Sequence, residues 1–330
     1  VSIRDDVLAA LREAGADGVS GEELAARFGV SRVAIGKHVT VLRAAGYRVD
    51  ASPGRGYAFV SVPDAPLPAE VRRHLSTSGW VRLEGGGVTG STNADAAALA
   101  RAGAPHGSAV LAARQTAGRG RLGRDWASPE GGVYVSAVLR PALSPAALTG
   151  LPLAIAVGIA GELGRLGVDP GVKWPNDLLV GEVKLAGVLL EMAGEADRTE
   201  WVVAGVGLNV RRPQESLPGA AYLEDFADDI GLAEAAAISL DGIVRGYGRL
   251  VDEGFEVVRE AFEARDVLAG REVQVADVRG QPLAEGRASG VDEEGRLLVV
   301  SDFGPDEKTL AFAAGDVTLS TDEAGARGCR

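Results

Sequence analysis

Residues 115–126, QTAGRGRLGRDW, place three arginines and three glycines within twelve positions, with no acid before Asp125. Arginine's planar, permanently charged fork fits carboxylates and phosphates. Glycine lets a backbone come close to whatever it holds. Gly118, Gly120 and Gly123 also satisfy the letters G-x-G-x-x-G, but a dinucleotide motif opens directly into a helix. Here DWASPEGGVYVS comes next, with Pro129, Gly131 and Gly132 and then a β-like run, and no GK[ST] completes a phosphate loop. The stretch therefore reads as an anion clamp on a strand-to-strand loop. Its cations, Arg119, Arg121 and Arg124, should repel one another and keep the loop mobile until an anion arrives.

Lysine marks a second set of candidates. Only Lys37, Lys173, Lys184 and Lys308 are lysine among 34 basic residues, so a lysine here singles out a position suited to a compact point charge. Two of the four fall in GVKWPNDLLVGEVKLAGVLLEM, 171–192. Lys173 and Trp174 end a strand, Pro175-Asn176-Asp177 turn, and the remainder reads as a hairpin carrying Lys184. WVVAGVGLNV, 201–210, is a buried strand with Asn209 as its lone polar residue. Upstream, Ser91-Thr92-Asn93 precede a helix running through Ala100, and N-capping alone accounts for those three.

These residues need a scaffold, and the rest of the chain supplies three kinds. Residues 1–62 show an amphipathic helix (Ile3, Val7, Leu8, Leu11) and a Ser20/Glu23 capping box. Gly29 then breaks the chain, and Ser31 caps an acid-free helix, 31–45. A hairpin around Pro53-Gly54-Arg55-Gly56 completes a winged helix-turn-helix. Outward Arg32, Lys37, His38 and Arg43, with Arg55 at the wing tip, fit base edges and phosphates. The net charge of −12 confines any nucleic-acid affinity to such a local patch. SVPDAPLPAE, 61–70, is a linker. Residues 63–268 mix strands and helices and hold the distinctive loops. Residues 269–320 carry short β runs of a small barrel without evident chemistry, and 321–330 form a tail. The single cysteine, Cys329, excludes a disulfide framework or cysteine metal cluster. The apolar run 151–160 is too short for a membrane helix and reads as a buried core helix of a cytoplasmic protein with no membrane partner.

In order, GSTN, GRGRLGR, KWPND, VKLAG and GVGLN resemble the motifs of the biotin–protein ligases. With the winged module in front, the chain resembles the bifunctional biotin operon repressor/biotin ligases over nearly its whole length. The resemblance implies an α+β multidomain fold. Its parts are a winged helix-turn-helix, an α/β catalytic domain with a class II synthetase-like mixed sheet, and a small SH3-like β-barrel. It implies ATP and Mg²⁺ as co-substrate and ion, biotin as substrate and no bound prosthetic group. The partners implied are a biotin carboxyl carrier protein (an acetyl-CoA carboxylase subunit), operator DNA of biotin genes, and a second copy in a homodimer promoted by biotinyl-5'-AMP.

By resemblance Lys184, Arg119 and Arg121 are catalytic. Ser91, Thr92, Asn93, Gln115, Arg119, Gly120, Arg121, Lys184 and Gly187 contact biotin. Arg121, Arg124, Trp126, Asn176, Lys184 and Asn209 surround the nucleotide, and Asp177 holds Mg²⁺ or orients the attacking lysine. Ser31, Arg32, Lys37, His38 and Arg55 face DNA. The loop 211–225 after Asn209 departs from relatives that place a tryptophan over the adenine. A lipoate/octanoate–protein ligase of the same fold, or a ligand-sensing regulator without ligase activity, are the alternatives.

Overall fold

The computed structural model describes residues 3–215, 217–277, 279–301 and 308–319. Cys329 and the tail 321–330 lie outside the described residues. The chain divides into two compact units, Val1–Ala65 and Pro66–Arg330.

The first unit holds α1 (Ile3–Ala14), α2 (Gly21–Phe28), α3 (Arg32–Ala44) and the hairpin β1 (Arg48–Ser52) and β2 (Gly56–Ser61). Local chemistry sets the ends of its helices. Ser20 and Ser31 hydroxyls accept from the Glu23 and Ala34 amides at 3.0 and 3.1 Å, and Gly29 takes the left-handed conformation that stops α2. Val7, Leu8 and Leu11 are buried as the periodicity requires, but Ile3 is exposed, one turn before the apolar face closes. Arg43 is exposed, as expected, and its guanidinium donates to the Val49 carbonyl, tying α3 to β1. Arg55 donates to the Ala16 carbonyl at 3.0 Å, which holds the wing tip against the α1–α2 turn.

The second unit opens with α4 (Pro68–His74), β3 (Arg82–Gly85), β4 (Val88–Thr89), α5 (Thr92–Arg101), β5 (Ser108–Ala112) and β6 (Arg114–Gln115). Next come β7 (Gly132–Leu139), α6 (Leu151–Gly164), β8 (Gly171–Lys173), β9 (Asp177–Val180), β10 (Val183–Gly194) and β11 (Thr199–Asn209). α7 (Leu232–Gly248) and α8 (Phe255–Glu263) complete its helices. Seven strands form one sheet in the order β3-β5-β7-β11-β10-β9-β8, antiparallel except for the β3–β5 pair. β5 and β7 are buried along their whole length because both faces are covered. Val133, Val135, Ala137, Val202, Ala204, Val206 and Leu208 point to the main core with α6 and α7. Val138, Val203 and Trp201 point to the opposite face, under Ala96, Ala97 and Ala100 of α5. The chain around 151–160 is thus a core helix, as its composition predicts. The helical stretch Ala146–Gly164 has the length and apolarity of a membrane span but is 67% buried inside this fold.

α6 and α7 cross where both are glycine. A Cβ on Gly158 would lie 2.2 Å from the Gly242 carbonyl oxygen, and one on Gly246 would lie 2.2 Å from that of Ala154. The C-terminal strands β12 (Glu272–Ala276), β13 (Pro282–Val291), β14 (Leu297–Ser301), β15 (Lys308–Phe312) and β16 (Asp316–Leu319) form an antiparallel sheet, β15-β14-β13-β12-β16. This small β domain shares the main core through Val273, Val275, Val299 and Val317. It also receives a hydrogen bond from Trp174 Nε1 to the Gly295 carbonyl at 3.0 Å.

Gly158→Ala should lower the urea midpoint by the equivalent of about 1–3 kcal/mol through overpacking. Gly161→Ala on the same helix, where nothing lies within 4 Å, should leave it unchanged or raise it slightly. Asp266, between α8 and β12, is raised by burial to about 6. Its unfolded value lies lower, so the folded state prefers the neutral acid, and stability should fall as pH rises from about 4 to above 6. At about 1.4 kcal/mol per pKa unit the loss is roughly 2–3 kcal/mol. Asp266→Asn should remove that slope from a series of unfolding curves.

Candidate functional site

Strand alternation builds the floor of the cleft. On the α5 side of the sheet, β11 presents Val203, Gly205 and Gly207, and the cross-strand neighbours of the two glycines are Leu189 and Gly187 on β10 and Ser136 and Tyr134 on β7. Under α5 this face is apolar; beyond it, glycines strip the sheet bare. A Cβ on Gly205 would lie 2.0 Å from Asn93 Oδ1, and one on Gly207 would lie 2.6 Å from Trp126 Nε1. A Cβ on Gly187 would lie 3.0 Å from the same indole. The three glycines therefore let Asn93 and Trp126 settle onto the backbone of the sheet.

The inner end of the cleft is neutral and polar. Ser91, Thr92 and Asn93 are buried at the start of α5. They do not cap it: Ser91 makes no side-chain capping bond. Instead the Thr92 amide and hydroxyl donate to Gln115 Oε1 at 2.8 and 3.0 Å, and Gln115 Nε2 donates to Ser128 Oγ at 2.9 Å. Ser136 Oγ bridges Thr92 Oγ1 and Asn93 Oδ1 at 2.8 and 2.7 Å. Asn93 Nδ2 and Trp126 Nε1 remain buried donors with no partner in the protein, a costly state unless something in the cleft accepts from them.

The outer end carries the charge. The loop 116–131 leads from β6 into strand β7, with no helix beyond a single 3₁₀ turn at Arg121–Gly123. It folds on itself through Trp126 N–H to the Gly118 carbonyl and Gly120 N–H to the Arg124 carbonyl, at 3.0 and 2.7 Å. Its cations turn to different partners, which offsets but does not abolish the repulsion that the sequence implies, since the charge of Arg124 still disfavours that of Arg121. Arg119 reaches Glu191 of β10 at 3.5 Å, and Arg124 donates to Asp316 of β16 at 2.8 Å. Arg121 turns inward to Asn176 Oδ1 at 3.4 Å. Lys184 Nζ sits 2.7 Å from Asp177 Oδ1 and 4.6 Å from the centre of the Trp126 ring.

Burial pulls the Arg121 guanidinium below its ordinary value, with Asp177 and Asp316 pushing the other way. It remains a cation with too little solvation, so it gains strongly from an incoming anion. The Arg124 hydrogen bond, aided by the charges of Arg124, Lys173 and Arg121, holds Asp316 below the usual carboxylate range despite desolvation.

Ser91, Thr92, Asn93, Gln115, Arg119, Gly120, Arg121, Arg124, Trp126, Asn176, Asp177, Lys184 and Gly187 all line this cleft. Asn209 does not; its amide donates to the Lys184 carbonyl at 3.2 Å and so fixes the strand that carries the lysine. Lys173 lines the cleft as well, and so do Tyr134 and Asp316, which the sequence does not single out. Burial pushes the Tyr134 phenol far above its ordinary value, and it donates to the Pro129 carbonyl at 2.9 Å. The rarity of lysine marks Lys173 in the sequence; nothing local marks Asp316. In the loop beyond Asn209, Tyr222 is buried with Arg212 over its ring at 4.7 Å, outside the cleft lining. Among the described residues no group of three His, Cys, Asp or Glu could hold a metal. Asp177 and Asp316 fit an ion that arrives on a polyphosphate, since Mg²⁺ takes one or two carboxylates plus substrate oxygens.

In the N-terminal unit, Ser31, Arg32, Lys37 and Arg55 are exposed and His38 is half-buried. Ser31 is occupied as the α3 cap. The Arg32 stem lies beside Gly21 at the start of α2, where a Cβ on Gly21 would be 3.4 Å away.

Three family models match the chain. Residues 86–209 match the biotin/lipoate A/B protein ligase family, 4–58 an HTH domain and 269–320 the biotin protein ligase C-terminal domain. Over 314 residues the chain is 32% identical to the bifunctional ligase/repressor BirA of Bacillus subtilis (strain 168), covering 92% of this chain and 95% of that one. To BirA of Escherichia coli (strain K12) it is 34% identical over 295 residues, 86% of this chain and 88% of that one. The structure of biotin protein ligase from Aquifex aeolicus in complex with biotin and ATP matches with a TM-score of 0.61 at 27% identity, covering 73% of this chain and all of that one.

The glycine floor gives a direct check. Gly207→Ala should displace the Trp126 indole and alter the protein's tryptophan emission. In a Trp126→Phe background the same substitution should leave emission unchanged.

Proposed function

The chain belongs to the bifunctional biotin–protein ligases and biotin operon repressors, and on that premise we propose how its residues divide the work. The protein activates biotin with ATP and transfers it to a lysine of a biotin carboxyl carrier protein. It also acts as a biotin-responsive repressor through the helix-turn-helix. One observation carries the residue assignment: a neutral polar pocket with unpartnered buried donors opens directly into a ring of cations.

In the proposed arrangement the fused rings of biotin lie at the inner end, over Gly187 and Gly205, among Ser91, Thr92, Asn93 and Gln115. Its carboxylate extends towards Arg119, Gly120, Arg121 and Lys184. The nucleotide occupies the outer end, between Trp126, Asn176 and Arg124, with Asn209 acting through the backbone of Lys184. A carboxylate oxygen attacks the α-phosphorus of ATP, the bond to the β-phosphate oxygen breaks, and pyrophosphate leaves. Bringing two anions together is the main barrier, and Lys184, Arg119 and Arg121 offset it from fixed positions. The carrier lysine, as the free amine, then attacks the acyl carbon of biotinyl-5'-AMP; the amide forms and AMP leaves with the bonding pair. Mg²⁺ bound to the ATP phosphates supplies charge neutralisation there, and Asp177 and Asp316 are the carboxylates that would hold it.

For the repressor half, Arg32, Lys37, His38 and Arg55 meet DNA. In 1–62 the basic residues outnumber the acids by only one, so a single copy binds weakly. Biotinyl-5'-AMP promotes a homodimer that places two modules on adjacent half-sites. A cytoplasmic location fits these partners.

Pyrophosphate release should require biotin and fail with lipoate. Lys184→Ala and Arg121→Ala should each lower it by about 10²–10³-fold while leaving circular dichroism unchanged. Near-normal release by both variants would overturn the assignment. In gel shifts on DNA upstream of biotin genes, affinity should rise with protein concentration and when biotin and ATP are both present. It should fall steeply with salt.

A further inference from the structure

α3 turns Ile35, Val39 and Leu42 into the core of the N-terminal unit. On the opposite face, positions 33, 37 and 40 recur at the i, i+4, i+7 spacing of one helix side. Val33 is 70% exposed, and Lys37 and Thr40 are exposed. The Thr40 hydroxyl is spent on the Gly36 carbonyl at 2.9 Å, which leaves its methyl as the group free to make a contact. Next to this stripe Val41 is 45% exposed. β-Branched residues are poor helix formers, so a purely solvated face gains nothing from carrying three of them. The helix has no acid to repel phosphates. This outward face is therefore one ammonium set between two sets of methyl groups.

On the reading of the module as a DNA-binding domain, we infer that Val33 and Thr40 set operator specificity by packing against the C5-methyl groups of two thymines in the major groove. Thymine is the one base that offers an apolar group there. Val33 stands in the first turn of α3, the end that the recognition helix of this motif presents to base edges, and Thr40 lies two turns on along the same face. Seven residues span about 10.5 Å of helix, close to three base steps of about 3.4 Å. With α3 laid along the groove, the two thymine methyls lie about three steps apart in each half-site, with Lys37 between them. Arg32, beside α2, contributes to phosphate rather than base contact.

The test uses the full-length protein with biotin and ATP. Selection from a random duplex library defines the bound sequence, and each thymine is then replaced by deoxyuridine, which removes only the methyl. Two positions three steps apart should each lose about 3–10-fold in affinity, the effect of burying one methyl group. Val33→Ala should abolish the loss at one position and Thr40→Ser at the other, with ligase activity and thermal unfolding unchanged. Lys37→Ala should weaken binding to all sequences. Sequence-specific binding indifferent to every thymine methyl, or a methyl preference that survives in both variants, overturns the inference alone. If no sequence is enriched and no DNA is retarded, the DNA-binding reading itself falls and this inference falls with it.

Discussion

Five cations, Arg119, Arg121, Arg124, Lys173 and Lys184, line a single cleft, and the fold depends on their having somewhere to go before any substrate arrives. Like charges at such density oppose folding unless offset. Glu191, Asp316 and Asp177, each from a different strand, take up Arg119, Arg124 and Lys184. Arg121 has only the Asn176 amide oxygen and the more distant acids. An incoming carboxylate or phosphate thus replaces a resident carboxylate at three of the cations. Its binding energy at those positions is the difference between two anions. At Arg121 it meets a cation that burial has left short of solvation and that no carboxylate among the described residues pairs directly.

The sheet beneath serves two ends through simple alternation. Odd positions of β11 face α5 or the cleft, while even positions 202–208 fill the core. Replacing side chains with hydrogen at 205 and 207 changes the function of the strand without disturbing its other face. The core that stabilises the enzyme and the depression that receives its ligands are therefore two sides of the same eleven residues.

Much of this is legible in the sequence because it is local. Ser20, Gly29 and Ser31 declare helix ends through bonds spanning three or four residues. The loop at 118–126 is denied a dinucleotide role by the Pro129, Gly131 and Gly132 that stand where a helix would have to begin. Residues whose work depends on distant partners are harder to read. Ser91, Thr92 and Asn93 have the letters of a cap, yet Thr92 bonds Gln115, 23 residues away, and Asn93 bonds Ser136, 43 residues away. Asn209 has the pattern of a lining residue, a lone polar side chain ending a buried strand; it serves the backbone of Lys184 instead. Asp316 is silent in the sequence, because its partner lies 192 residues earlier.

That last separation has a consequence for how the enzyme comes into being. The clamp is translated long before the carboxylate that steadies Arg124 exists. At roughly 5–20 residues per second on the ribosome, the interval is on the order of 10–40 s. Throughout it the basic loop has no Asp316 to hold it and β12–β16 have yet to join the shared core. A nascent chain can fold its sheet and helices in this window but cannot set Arg124 in its resting place. The organisation of the outer end of the cleft is thereby tied to synthesis of β16.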